Sequence, residues 1–224
     1  MSEPTGSTQQ FYTRWARLYD LVAVRTPGIR AVRRAAVDQL NAQPGDTVVE
    51  MGTGSGANLP ILREAVGPEG RVVGVDVSPG VLGVARDRID RHGWENVHVV
   101  RGDATRPPLE ASAVDCVFAS LVVGMFDEPA AVVDSWADLV GPGGRIGLFD
   151  LARSSQRRAR PLNGLFRLFV TTANPKSVRK SAEPLGRLDR RVAAAHRRLG
   201  ERCSDATHET RGLGFARLSG GTID

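Results

Sequence analysis

Cysteine is scarce in this sequence, and the two thiols have no spacing that suggests a shared role. Cys116 and Cys203 stand 87 positions apart, which argues against a disulfide framework and against a zinc site. Cys116 lies in an apolar stretch, where a free thiol usually packs as a small core residue. The four histidines (92, 98, 196 and 208) form no ligand pair either. We therefore expect no metal site.

Long hydrophobic runs are also missing. No uninterrupted apolar stretch approaches the roughly 18 residues that a membrane-spanning helix needs, and no charged-then-apolar segment near the start suggests export. Hydrophobic residues make up 41% of the 224 residues, an ordinary share for a globular chain with one full core. We expect one domain over residues 1–224 in the cytoplasm, with room for peripheral contact with a membrane.

Lysine is nearly absent, and the arginines are unevenly placed. Lys176 and Lys180 are the only lysines among 30 basic residues. Residues 151–203 hold 12 arginines and both lysines against three acids, a net of +11, whereas the whole chain carries +5. A concentrated basic segment in an otherwise acidic chain points to an anionic surface or substrate. A solvated helical face would give the same pattern.

The most informative residues are 48–56, Val-Val-Glu-Met-Gly-Thr-Gly-Ser-Gly. Two valines end a buried strand, glycines follow, and residues 57–63 have the apolar spacing of a helix. A strand, a glycine-rich turn and a helix make a crevice for an adenosine-type ligand. Glycine lets the backbone approach such a ligand where a Cβ would clash.

Two ligands fit this loop. Gly52-x-Gly54-x-x-Ala57 is a loose dinucleotide fingerprint. The spacing Glu50-x-Gly52-x-Gly54-x-Gly56 instead places a carboxylate beside the loop. That negative charge repels a pyrophosphate but suits a cationic ligand such as S-adenosylmethionine.

Acidic residues near the ends of the next strands favour the second interpretation. Residues 71–76 predict a strand that ends in Asp76, where a carboxylate can accept both ribose hydroxyls or cap the next helix. A third strand over 97–104 includes Asp103, which could accept from an adenine amino group or be a surface acid. Residues 115–120 predict a fourth strand, and residues 140–150 predict a turn that runs into a fifth.

These pieces resemble the class I S-adenosylmethionine-dependent methyltransferases, in particular the branch of ubiquinone/menaquinone C-methyltransferases and bacterial phospholipid N-methyltransferases. The resemblance covers residues 9–150. It rests on Glu50–Gly56, the stretch Val73–Ser78, Gly102–Ala104, Gly141–Arg145 and the tyrosine-containing segment Phe11–Asp20.

The resemblance implies S-adenosylmethionine as cofactor and a role for each matched residue. Glu50, Ser55 and the glycines 52, 54 and 56 would approach the methionine moiety. Asp76, with Val77 beside it, would hold the ribose, and Asp103 and Ala104 the adenine. Ser120 would lie near the reacting centre, and residues 1–40 would form a helical cover in which Tyr12 and Tyr19 close over the cofactor or simply pack.

The expected fold is α/β: a doubly wound, Rossmann-like sheet of seven mostly parallel strands with an antiparallel last strand. Strands near 206–211 and 214–223 would complete it. Within the basic segment 151–203, apolar residues at 162, 165, 166 and 169 predict a helix flanked by arginines, and 183–203 predicts a second one after a loop at 171–182. The first helix could cover a lipid-like substrate, contact an anionic membrane or pack on the sheet.

The expected activity is methyl transfer to a small or lipid-like acceptor, such as a prenylated quinone or a phospholipid head group. The alternatives are an RNA or DNA methyltransferase, a nicotinamide-dependent oxidoreductase and an inactive fold that binds a partner protein. Methylating a carbon requires a base within hydrogen-bond reach. Asp150 and His208 are candidates by position, although neither is assigned a catalytic role.

Overall fold

The described residues form a seven-stranded sheet in a computed structural model that describes residues 28–110, 114–173 and 184–224. The strands are β1 (Thr47–Met51), β2 (Arg71–Asp76), β3 (Val97–Arg101), β4 (Cys116–Ser120), β5 (Arg145–Leu151), β6 (Thr207–Arg211) and β7 (Ala216–Thr222). Their order is β3-β2-β1-β4-β5-β7-β6. Strand β7 is antiparallel to both neighbours, and the other pairs are parallel. The predicted fold class is confirmed.

Six α-helices of the described residues connect and cover these strands. They are α1 (Ile29–Leu40), α2 (Leu59–Val66), α3 (Pro79–His92), α4 (Pro129–Val140), α5 (Leu162–Ala173) and α6 (Pro184–Glu201). Helices α2, α3 and α4 carry a proline in the first turn, where its missing N–H costs no helical hydrogen bond. Helix α3 ends at Gly93, which adopts the left-handed conformation and returns its N–H to the carbonyl of Asp90.

Alternating side chains of the central strands build one core on each face of the sheet. Val48, Phe118 and Phe149 pack on one face with α1, α2 and α3. Met51 and Trp136 belong to the core of the other face, under α4 and α6. Because the central strands are covered on both faces, they read in the sequence as nearly continuous apolar runs.

The structure corrects the predicted loop at 171–182. Helix α5 continues through Thr171 and Thr172 to Ala173, and 174–183 lies outside the described residues. Threonine is only modestly unfavourable in a helix, so an established helix can continue through it. The predicted cover residues Tyr12 and Tyr19 also lie outside the described part of the chain.

The apolar stripe predicted for α5 is only partly buried. Phe166 is 9% exposed and packs against Phe215, with ring centroids 5.3 Å apart. Leu162 and Leu165, which belong to the same predicted stripe, are 40% and 69% exposed. The helix therefore anchors on the sheet through one side and presents leucines to solvent on another.

Candidate functional site

The glycine-rich loop after β1 is held against the end of β2 by backbone hydrogen bonds. The N–H groups of Gly52 and Thr53 both donate to the carbonyl of Val75, at 2.8 and 3.0 Å. The N–H of Gly54 donates to Oδ2 of Asp76 at 3.0 Å. Strands β1 and β2 are parallel neighbours, so the loop and the strand-end acid meet at the carboxyl edge of the sheet. This edge is where open α/β sheets bind their ligands.

Two glycines of this loop have different physical reasons for lacking a side chain. Both Gly52 and Gly54 have positive φ, at 71° and 56°. A Cβ on Gly52 would lie 2.8 Å from a methyl group of Val122, so this glycine is required by packing. A Cβ on Gly54 would meet nothing within 4 Å. Gly54 therefore faces open space, which fits a loop over which a ligand lies.

Glu50 is buried, at 1% exposure, and its carboxylate is held by the loop that follows it. Thr53 donates from Oγ1 to one carboxylate oxygen at 2.6 Å, and Asn58 donates from Nδ2 to the other at 2.5 Å. Burial raises the pKa of Glu50, while the two hydrogen bonds and the positive charge of Arg33 act in the opposite direction. Glu50 thus fixes the shape of the loop and places an acidic group beneath it.

Arg33 connects this network to the end of β4, which sequence reasoning missed. Its Nη1 donates to Oδ1 of Asn58 at 2.7 Å and to Oγ of Ser120 at 3.4 Å. Arg33 comes from α1, 17 positions before Glu50. No local motif marks it; the signal available was an arginine on an otherwise buried helix face between Val32 and the alanines that follow.

Asp76 presents its carboxylate at the loop, as expected. Oδ1 accepts from the N–H of Ser78 at 2.9 Å, and Oδ2 accepts from Gly54. Burial raises its pKa, against the opposing effect of the backbone donors at Ser78, Gly54 and Val77. A carboxylate has about four acceptor positions, and the three backbone donors leave about one of them for a ribose hydroxyl. The alternative role predicted for Asp76, capping the next helix, is not observed, because the N-cap residue of α3 is Ser78.

The predicted adenine residues lie in a turn that α4 holds in place. Oδ1 of Asp103 accepts from the N–H and Oγ1 of Thr105, each at 2.8 Å, so this carboxylate shapes its own turn. The carbonyl of Ala104 accepts from Nε1 of the buried Trp136 at 2.7 Å. Helix α4 therefore sets the position of the turn that follows β3.

The end of β4 completes the site. Ser120 is half-buried, and Leu121 follows it with φ at 60° and donates its N–H to the carbonyl of Phe149 at 2.7 Å. Ser55 is buried within the loop, at 6% exposure. The structure thus gathers the matched residues of β1, β2 and β4 at one edge and leaves their contacts with a cofactor as predictions.

The two candidate bases lie in a second polar cluster, which also contains two residues that the sequence analysis did not select. Nε2 of His196 is 3.3 Å from Oδ2 of Asp150, and its Nδ1 is 2.8 Å from Oγ of Ser219. Nδ1 of His208 also lies 2.8 Å from Oγ of Ser219. Asp150 is 2% exposed, and burial raises its pKa. The buried carboxyl group of Asp150 therefore holds one ring nitrogen of His196, and its role as a base stays a prediction.

This second cluster opens into a cavity of about 650 Å³ between α6 and strands β6 and β7. The described lining includes apolar residues and both histidines: Ala152, Val192, Leu199, Ala206, His196 and His208. Strand β7 lies two strands from β4, which is about 10 Å at ordinary strand spacing. The cavity is therefore beside the cofactor edge and not within the glycine loop.

Several arginines of the basic segment form ion pairs with carboxylates of the same chain. They bind carboxylates of α4, of α6 itself or of the turn before α4: Arg191 with Asp127, Arg198 with Asp134, Arg202 with Asp134 and Asp138, and Arg153 with Asp189. The segment 151–203 is thus less positive toward solvent than its sequence implies. The nucleic-acid alternative stays a prediction.

Two features of the described residues bear on the expectations about metals and membranes. Within 28–110, 114–173 and 184–224, no three His, Cys, Asp or Glu side chains gather as a metal-binding group. None of the helices placed in those ranges combines the length and the apolar character that crossing a bilayer requires. The expected cytoplasmic location stays a prediction.

Sheet order, antiparallel β7 and the acid-glycine loop together define a class I S-adenosylmethionine-dependent methyltransferase fold. Comparison with known families agrees, since residues 48–144 match the model of the family described as "Methyltransferase domain". Residues 48–144 therefore form a methyltransferase domain, and the fold is that of solved S-adenosylmethionine-dependent methyltransferases. The dinucleotide interpretation of Gly52–Ala57 is set aside.

Individual relatives are similar to this chain over part of their own length. The nocamycin O-methyltransferase of Saccharothrix syringae is 37% identical over 61% of this chain and 48% of that protein. The ubiquinone/menaquinone biosynthesis C-methyltransferase UbiE of Vibrio cholerae is 26% identical over 67% of this chain and 59% of its own. The chain spans less than two thirds of these relatives.

Solved structures show the fold over nearly the whole chain. A crystal structure of a SAM-dependent methyltransferase from Aquifex aeolicus superposes with a TM-score of 0.63, covering 95% of this chain and 98% of that one at 16% identity. At 16% identity this structural similarity is evidence for the fold alone.

Proposed function

We propose that this protein is a methyltransferase that uses S-adenosylmethionine to methylate a small or lipid-like acceptor. The observation that carries the proposal is the arrangement of Glu50, Gly54 and Asp76 at one edge of the sheet, inside the matched methyltransferase domain. Glu50 is buried, Gly54 faces open space and Asp76 is half-buried. Side chains of this kind in this order suit a cofactor with a cationic methionine end and a ribose.

The bound cofactor supplies an electrophilic methyl group on its sulfonium, and the protein supplies alignment and a dry site. Glu50, held by Thr53 and Asn58, would place an acidic side chain beneath the methionine end. Asp76 would orient the ribose with the acceptor position that its backbone donors leave free. Ser120 accepts a hydrogen bond from Arg33 at the end of the strand next to β5, where it would lie near the reacting centre.

The class of acceptor is supported by the region around the end of β5. Exposed leucines of α5 follow that strand, and the cavity beside it has largely apolar walls. Two relatives carry names that specify an oxygen acceptor in one case and a carbon acceptor in the other. The fold is thus compatible with either atom, and the apolar part of a prenylated quinone or of a phospholipid fits the apolar side chains of this region.

A labelling experiment tests this proposal. The protein is incubated with S-adenosylmethionine deuterated in the methyl group and with lipid and quinone extracts, and the products are analysed by mass spectrometry. We expect one class of extract component to gain the labelled methyl with wild-type protein and to stay unlabelled with Asp76→Ala. Absence of label from every component, by a protein that binds S-adenosylhomocysteine, would contradict the proposed acceptor class without contradicting the cofactor.

A further inference from the structure

Exposed leucines cluster on one side of α5. Leu162, Leu165 and Leu168 recur every three residues, so they lie along one side of the helix. Their side chains are 40%, 69% and 61% exposed. The helix is held to the body by Phe166 and by Asn163, which exchanges two hydrogen bonds with the backbone of Ser154. The leucines are therefore presented to solvent by an anchored helix.

A fourth leucine comes from the turn between β6 and β7. Leu213 is 53% exposed and has φ at 56°, a conformation that few non-glycine residues adopt. Oγ of Ser154 donates to its carbonyl at 2.6 Å, and the same Ser154 bonds Asn163 of α5. The turn and the helix are thus tied to one residue. We call Leu162, Leu165, Leu168 and Leu213 the leucine surface.

Arginines surround the leucine surface. Arg157, Arg158 and Arg160 are exposed and directly precede α5. Arg153 and Arg211 flank it from the end of β5 and the end of β6, where they pair with Asp189 and Glu209. Among these described residues, five arginines face two carboxylates, a net of +3. The carboxylates of α4 and of the turn before it pair with other arginines, on α6 and just beyond it.

The leucine surface lies at the carboxyl edge of the sheet. Strand β6 runs parallel to β5, because both are antiparallel to β7. The β6–β7 turn and the start of α5 therefore share the edge at which the glycine loop and Asp76 meet. A partner bound at the leucine surface would sit beside the entrance to the cofactor site.

We propose that the leucine surface docks on an anionic phospholipid bilayer, with the leucines inserted among the lipid chains and the surrounding arginines at the phosphate groups. Apolar side chains edged by arginine on one helix are what an interfacial contact requires. Charge complementarity selects the occupant, because negatively charged lipid attracts the net positive rim over about one Debye length. Docking turns the cofactor edge toward the bilayer, where a lipid-like acceptor resides.

Vesicle sedimentation with the full chain tests the proposal, in the absence of any cofactor so that the result does not depend on the proposed activity. We expect the protein to pellet with vesicles of phosphatidylcholine and phosphatidylglycerol, and to remain in solution with phosphatidylcholine alone. Binding should fall steeply as salt is raised. Replacing Leu165→Gln and Leu168→Gln together should weaken binding about tenfold or more, because each exposed leucine contributes by burial in lipid.

Matched variants separate the surface from general effects. Val100→Gln removes an exposed apolar side chain on β3, at the far edge of the sheet, and should bind as wild type does. Arg157→Gln with Arg158→Gln should weaken binding, whereas Arg71→Gln with Arg86→Gln, both exposed elsewhere, should not. Circular dichroism of each variant confirms that the fold is kept.

Three results would overturn the proposal. The first is wild-type protein that stays in the supernatant with anionic vesicles at low salt. The second is a leucine double variant that binds as tightly as wild type, since another surface would then be responsible. The third is tighter binding to a short RNA than to vesicles through the same arginines, which would assign the surface to nucleic acid.

Discussion

At the scale of single residues, the glycines of the cofactor loop can be separated by experiment. Gly54→Ala places a methyl group in open space at positive φ, which costs about 1–2 kcal/mol of folding free energy. The same methyl group occupies space that a ligand needs. We expect a small fall in melting temperature and a large loss of S-adenosylhomocysteine affinity, measured by calorimetric titration.

Gly52→Ala is the matched control, because it adds the same methyl group two positions earlier. There the Cβ meets Val122 at 2.8 Å, so overpacking adds about 1–3 kcal/mol to the cost of positive φ. The stability loss should therefore be larger than for Gly54→Ala. Equal affinity of Gly54→Ala and wild type would show that the ligand does not lie over this loop.

The histidine cluster predicts how stability depends on pH. Burial, His196 and Arg217 lower the pKa of His208 below its ordinary value of 6.5. The folded state then binds fewer protons than the unfolded state, so stability is full above about pH 6.5 and falls as the pH drops through the folded pKa. Asp150, whose pKa is raised, acts in the opposite direction, since its contribution falls as the pH rises.

Replacing His208→Gln isolates its share of that dependence. We expect the free energy of unfolding, from urea titrations between pH 7 and pH 5, to fall less steeply in the variant than in wild type. His98→Gln on exposed β3 controls for the loss of a histidine elsewhere. Identical slopes for wild type and His208→Gln would refute the argument from burial.

Some site residues belong to a local sequence motif, and others do not. Glu50, Gly54 and Asp76 could be predicted because each lies at or just after the end of a strand, so neighbouring residues in the sequence show its position. Arg33 could not, because its partners Asn58 and Ser120 lie 25 and 87 positions away and only the folded sheet brings them together.

At the scale of elements, α4 holds the turn after β3 through the indole of Trp136. We call this turn, which contains the predicted adenine residues Asp103 and Ala104, the adenine turn. Trp136→Phe removes the hydrogen bond from Nε1 to the carbonyl of Ala104 and leaves a buried acceptor unpaired. We expect a loss of about 1–3 kcal/mol in folding free energy, measured by urea unfolding. A lower affinity for S-adenosylhomocysteine should accompany it, because the turn holding Asp103 loses its anchor.

Trp94→Phe provides the comparison for that prediction, since Trp94 stacks on His92 at the end of α3 and lies away from the adenine turn. Its ligand affinity should match that of wild type. Unchanged affinity in Trp136→Phe would mean that α4 does not position the turn.

The elements themselves were predictable to different degrees. Strands β1 to β5 were expected in nearly their observed positions, because buried parallel strands are short apolar runs bounded by turns. The orientation of α5 was not, since its apolar residues supply both the anchor Phe166 and the exposed Leu165. Apolar periodicity identifies a helix but does not say which apolar side chains meet the core.

At the scale of the whole molecule, charge must be counted after folding. The basic segment 151–203 suggested a large cationic surface, yet Arg191, Arg198 and Arg202 pair with carboxylates of α4 or of the turn before it. Exposed arginines also lie around α5 and the β6–β7 turn. These lie at the same edge as the cofactor loop, which joins the proposed acceptor class to the proposed membrane contact.

The central claim is that the carboxyl edge of the sheet binds S-adenosylmethionine, and calorimetric titration with S-adenosylhomocysteine tests it most directly. We expect saturable binding to wild type, binding weakened about tenfold or more in Asp76→Ala through loss of the ribose hydrogen bond, and wild-type affinity in the control Asp87→Ala on the exposed side of α3. No binding at millimolar ligand, equal affinity in Asp76→Ala, or preferential binding of a nicotinamide dinucleotide would contradict the account.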